Sequence, residues 1–106
     1  MKIATAWSVK PDPEAAIEEA FSSLEGRLDA DPSLLLIHSS CAYDNQRVLN
    51  HLHDLAPEVP VQGGTSCMGV MTEDGFHTDD GLGLGLIAIH DPGGAYGTSI
   101  FPKQDD

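Results

Sequence analysis

Pro60-Val61-Gln62-Gly63-Gly64-Thr65-Ser66-Cys67-Met68 is the stretch on which the fold turns. A short apolar segment runs into two glycines and then into a small polar cluster, Thr65-Ser66-Cys67. Upstream, Ser33 to His38 reads as another strand and ends in the same manner, in Ser39-Ser40-Cys41. Ligands of open α/β sheets sit outside the carboxyl ends of parallel strands. Two strands that both finish in hydroxyls and a thiol therefore direct attention to one place.

Working outward, Lys2 to Val9 has the residues of a strand, with Ile3, Trp7 and Val9, and Pro11-Asp12-Pro13 breaks it. Asp12 suits a helix N-cap and Pro13 the first helical position. Ile17, Ala20, Phe21, Leu24 and Leu28 follow at helical spacing, and Asp31-Pro32 stops the run. Leu34-Leu35-Leu36-Ile37 is the unbroken apolar run of a strand buried on both faces. Asp44 caps a second helix with the stripe Val48, Leu49, Leu52, Leu55 and Ala56, which Pro57 ends. Val59 to Val61 opens the third strand. Right-handed crossovers would make these strands parallel. Beyond Met68 the pattern changes. Glu73-Asp74-Gly75 is a turn between short apolar pieces, and Leu82, Leu84 and Leu86 alternate with Gly83 and Gly85 in a strand that continues to His90. The glycines imply close packing against one face of that strand. Ala95 to Phe101 reads as one more strand and Pro102 to Asp106 as a frayed tail. The expected fold is α/β: a parallel βαβαβ half followed by an antiparallel β-meander, with helices packed on the sheet, in a single domain over residues 1–106.

Composition narrows the partners. The chain carries 17 acidic residues against five lysines or arginines, a net charge of −12. The five cations, Lys2, Lys10, Arg27, Arg47 and Lys103, are scattered, so no basic patch is expected for nucleic acid or for an anionic membrane surface. No run of apolar residues is long enough to span a bilayer, and Lys10 follows the first strand too soon for a secretory signal, so a cytoplasmic location is expected. The two cysteines read as thiols with no metal-type spacing. His51 and His53 flank Leu52 on a helix, where residues two apart diverge by about 200°, so they cannot share an ion. Neither a metal nor a cofactor is expected. Gly81-Leu82-Gly83-Leu84-Gly85 precedes strand residues rather than a helix and is no dinucleotide fingerprint. The Gly63-Gly64 loop lacks the lysine of a nucleotide-binding P-loop. Glu73-Asp74 and Asp79-Asp80 read as exposed turn carboxylates without calcium-loop spacing.

The candidate site is thus ligand-binding: Ser39, Ser40, Cys41 and Tyr43 after the second strand, and Gly64, Thr65, Ser66 and Cys67 after the third. Hydroxyls and backbone N–H groups there can hold a small polar metabolite, and Tyr43 can cover it. The alternative role of Ser40 and Asp44 is to cap the next helix. The alternative use of Cys41 or Cys67 is as an enzyme nucleophile, for which His38 is the nearest base. No catalytic residue is assigned.

The order of elements and the turn Gly64-Thr65-Ser66-Cys67-Met68-Gly69-Val70 resemble the N-terminal part of the FIST sensory domain. Gly64, Ser66 and Gly69 fit that family's turn, while Val70 stands where an acidic residue is usual and Cys67 where a hydroxyl is common. Asp74-Gly75-Phe76 and Gly81 to Ile89 match the style of its next hairpin. The resemblance covers roughly residues 1–100. It implies intracellular signal transduction through sensing of a small ligand, with amino acids suggested, and it implies a further domain or another copy of the chain as a partner. A non-catalytic oligomerising subunit is the other reading of the glycine-faced strand.

Overall fold

The computed structural model describes residues 1–99. Along the chain run β1 (Lys2–Ser8), α1 (Pro13–Leu28), β2 (Leu34–Ser40), α2 (Asn45–Leu55), β3 (Val61–Ser66), β4 (Val70–Thr72), β5 (Gly75–His77) and β6 (Leu84–His90). Four of these strands make one mixed sheet in the order β1-β6-β2-β3, with both helices packed on it. β4 and β5 form a separate antiparallel ribbon.

Both helices start where the sequence places them. The Asp12 carboxylate accepts from Ala15 N with Pro13 in the first turn, and the Asp44 carboxylate accepts from Arg47 N. α1 ends at Leu28, before the Asp31-Pro32 stop, because Asp29 takes a left-handed conformation and its N–H closes onto Glu25 O.

The expected meander is not what the chain builds. β6 pairs antiparallel with β1 on one side and with β2 on the other, so it separates the first two parallel strands. Only β2 and β3 lie side by side in parallel. The alternation of β6 explains this place. Leu84, Leu86 and Ala88 are buried on the helix side, in register with Ser8, Ala6 and Ala4 of β1 and with Ser39, Ile37 and Leu35 of β2. A strand so apolar gains most at the centre of the sheet. With Ile17, Ala20, Phe21, Leu24, Val48 and Leu52 from the helices, these residues form one core.

Gly83 and Gly85 are covered by the chain's own β4–β5 ribbon. A Cβ on Gly83 would stand 2.5 Å from His77 O and 3.0 Å from Gly69 Cα, and one on Gly85 3.4 Å from Val70 Cγ2. The ribbon is fixed by Trp7, whose ring stacks on His77 with centroids 3.8 Å apart, and by the Thr5 hydroxyl, which donates to Glu73 Oε1. That hydrogen bond, then a backbone hydrogen bond at Glu73 itself and last the charge of Arg27, hold the Glu73 carboxyl below its ordinary range. Ala95 to Ser99 carries no strand, and the rest of the expected last strand and the tail lie outside the described residues. Among the described residues no helix is long and apolar enough to cross a membrane.

Candidate functional site

The glycines of the opening stretch do not form a turn. β3 runs straight through them, from Val61 to Ser66, in parallel register with β2: Ile37 with Gly63, Ser39 with Thr65, Ser40 with Ser66. Gly63 is required by close approach rather than by backbone conformation, since a Cβ there would fall 1.7 Å from Ile37 O. Gly64 faces open space.

β3 is an edge strand, and among the described residues nothing pairs with its outer side. The ladder tells which backbone groups that edge offers. Leu35 N donates to Pro60 O and Cys41 N to Ser66 O. In a parallel ladder of this register Gln62, Gly64 and Ser66 direct their N–H and C=O groups to β2, whereas Val61, Gly63 and Thr65 direct theirs to the open side.

α2 stands off from this edge. Its buried residues are Val48 and Leu52 only, and it packs chiefly against α1. Arg47 forms an ion pair with Glu14, and His51 Nε2 lies 2.7 Å from Glu18 Oε1, so two successive turns of α2 are tied to two of α1. Between α2, β3 and the returning segment at Thr98 and Ser99 lies a cavity of about 380 Å³. Ile37, Leu49 and Val61 supply apolar wall, and Ser39, Asn45, Gln62 and Thr65 supply polar groups. The volume is within the range of small-molecule sites, and the mixture of apolar wall and few polar groups suits one.

Of the residues read from sequence, Ser39, Gly64 and Thr65 line this cavity. Ser40, Cys41, Tyr43, Ser66 and Cys67 do not. Ser40 is fully buried and its hydroxyl accepts from Gly83 N, which fastens β2 to the start of β6. Tyr43 is buried and its hydroxyl donates to Lys10 O at 2.7 Å. Burial, and then the negative charges of Glu19 and Asp79, push its phenol up to about 12. Tyr43 thereby closes a polar junction in which the buried Ser8 hydroxyl donates to Glu19 Oε1 and Lys10 pairs with Glu19 Oε2. The hydrogen bond from Ser8, and next the neighbouring Lys10, hold the Glu19 carboxyl below its usual range. Ser66 Oγ is buried with no hydrogen-bond partner among the described residues. Cys41 and Cys67 are exposed and unbridged, and the Cys41 thiol donates to Cys67 O at 3.3 Å. His38 is exposed, and no hydrogen bond joins it to either cysteine among the described residues.

Asn45 is the site residue that sequence reading passed over. It follows the Asp44 cap, its Oδ1 accepts from the Ser39 hydroxyl, and its Nδ2 donates to Ser40 O and Tyr43 O. One amide thus fixes the β2–α2 loop and orients Ser39 at the cavity wall. An asparagine just after a cap was the available signal, because its side chain readily bonds local backbone. Leu49 belongs by spacing to the apolar stripe of α2, yet it is 44% exposed and faces the cavity. Among the described residues no cluster of three or more His, Cys, Asp or Glu could hold a metal ion. Comparison of the chain with family models, with curated proteins and with solved structures gives no match.

Proposed function

We propose that this domain binds a small polar metabolite of amino-acid type in the cavity between β3 and α2. The observation that carries the reading is the open β3 edge forming one wall of that cavity. Among the described residues the N–H groups of Gly63 and Thr65 have no backbone partner and can donate to a carboxylate. The C=O groups of Val61 and Gly63, likewise without a backbone partner among the described residues, can accept from an ammonium, and Ile37, Leu49 and Val61 offer an apolar bed for a side chain. A carboxylate held by backbone donors needs no cation, and none lines this cavity among the described residues. The resemblance to the FIST sensory domain supports the same reading, as a sensing module in intracellular signal transduction whose output comes from another domain or copy. A cysteine-nucleophile enzyme is the weaker reading, since no histidine hydrogen-bonds either thiol among the described residues.

Neutral hydrogen bonds contribute about 0.5–1.5 kcal/mol each, so affinity should be modest, on the order of micromolar to millimolar. Calorimetry of the protein against the common amino acids tests this. Leu49→Trp, which fills the cavity from an exposed position, should weaken binding by at least about tenfold. Thr65→Pro removes one outward N–H without breaking a ladder bond and should weaken it as well. His53→Ala, on the exposed side of α2, should change nothing. The proposal fails if no amino acid gives heat, or if Leu49→Trp and His53→Ala bind alike.

A further inference from the structure

We infer that Cys41 and Cys67 form a dithiol site that closes reversibly into a disulfide across the carboxyl ends of β2 and β3. These are the only two cysteines of the chain. They lie 26 residues apart in sequence, yet the ladder brings them together. Ser40 pairs with Ser66, and the next hydrogen bond, from Cys41 N to Ser66 O at 3.0 Å, makes Cys41 and Cys67 the following pair in register. The Cys41 thiol already reaches the Cys67 backbone, 3.3 Å from its carbonyl oxygen. Both residues are exposed, so a small reagent can approach either sulfur.

Neighbouring strands are about 4.7–4.9 Å apart, and a disulfide takes a Cα separation of about 4.4–6.8 Å. The Cβ atoms of register partners lie near one strand spacing, slightly beyond the usual range for a bridge. The pair follows the last named ladder positions, so closing it disturbs one terminal hydrogen bond and leaves the rest of the sheet in place. A bridge that asks for such an adjustment is easily reduced again, which suits a reversible site rather than a structural one.

The co-reactant is a low-molecular-weight disulfide. One cysteine thiolate attacks a sulfur of that disulfide, its S–S bond breaks, and one small thiol leaves with the proton. The second cysteine thiolate then attacks the protein sulfur of the mixed disulfide. The Cys41–Cys67 bond forms and the second small thiol leaves. Two protein thiols are oxidised and one small disulfide is reduced to two thiols. This site lies beyond the cavity lining and does not depend on ligand binding there.

The test is incubation of the native protein with oxidised glutathione, followed by peptide mapping by mass spectrometry without reduction. The expected product is one intramolecular Cys41–Cys67 bridge with no retained glutathione. Cys41→Ser and Cys67→Ser should each keep one glutathione on the remaining cysteine, because the resolving thiol is gone. Glutathione retained on both cysteines of the native protein would overturn the inference. So would bridges between two copies of the chain, or thiols left unmodified in native protein and variants alike.

Discussion

The two helices meet the same sheet face in different ways. α1 buries Pro13, Ala16, Ile17, Ala20, Phe21, Leu24 and Leu28 and lies flush on β1 and β6. α2 buries Val48 and Leu52, leans on α1 and leaves Leu49 over a cavity beside β3. The strands beneath explain the difference. β1 and β6 present Ala4, Ala6, Leu84, Leu86 and Ala88, a surface of alternating small and large residues that a helix can fit closely. β3 presents Val61, Gly63 and Thr65, with little side chain to pack on, so the helix above it gains little by approaching. One half of the sheet is packed tightly under its helix, and the other half keeps an open cavity beside β3.

The largest break in this comparison should come from the adjacent glycines of β3. Gly63→Ala forces a Cβ onto the Ile37 backbone and should cost about 3 kcal/mol or more, or prevent folding. Gly64→Ala meets nothing and should change stability by about 0.5 kcal/mol or less. Urea unfolding of the two variants reads both. Similar losses for both would show that β3 is not held against β2 as described.

Next in size is a matched pair of leucines. Leu24→Ala, on the flush helix and 1% exposed, should cost about 2–5 kcal/mol. Leu49→Ala, over the cavity, should cost less than about 1 kcal/mol. If the two variants share a midpoint in urea, α2 is as tightly packed as α1 and the cavity is closed in solution.

The junction of Tyr43 with Lys10 and Glu19 gives a pH effect of intermediate size. The Tyr43 phenol is raised from 10 to about 12 in the folded chain. The unfolded state therefore loses its proton first, so the Tyr43 contribution to stability is fully present below pH 10 and falls as pH rises from 10 towards 12. The full shift would correspond to a little under 3 kcal/mol, and solvent screening reduces this to on the order of 1–2 kcal/mol. Tyr43→Phe should remove that alkaline loss from thermal melts recorded between pH 9 and pH 12, roughly the window of the shift. An unchanged alkaline slope in the variant would place the effect elsewhere.

The smallest effect separates structure from ligand contact at the end of β3. Ser66 Oγ is buried without a partner among the described residues, so Ser66→Ala should raise stability slightly, by up to about 1 kcal/mol. Ligand affinity should be unaltered, because Ser66 is not among the residues lining the cavity. A loss of affinity in Ser66→Ala would enlarge the site towards the sequence-based reading.

Local chemistry was legible in the chain. Asp12-Pro13 and Asp44 mark both helix starts, and Glu73-Asp74-Gly75 marks the hairpin. Each depends on dihedral preferences or caps within a few residues, which the sequence states directly. Only the tertiary structure decided that β6 enters between β1 and β2, that Gly63-Gly64 continues a strand, and that Tyr43 and Ser40 hold the scaffold while Asn45 and Leu49 face the cavity. Strand order is set by which apolar faces find each other across the whole chain. An alternating pattern is satisfied equally at an edge or at the centre of a sheet, and packing against distant neighbours resolves the choice.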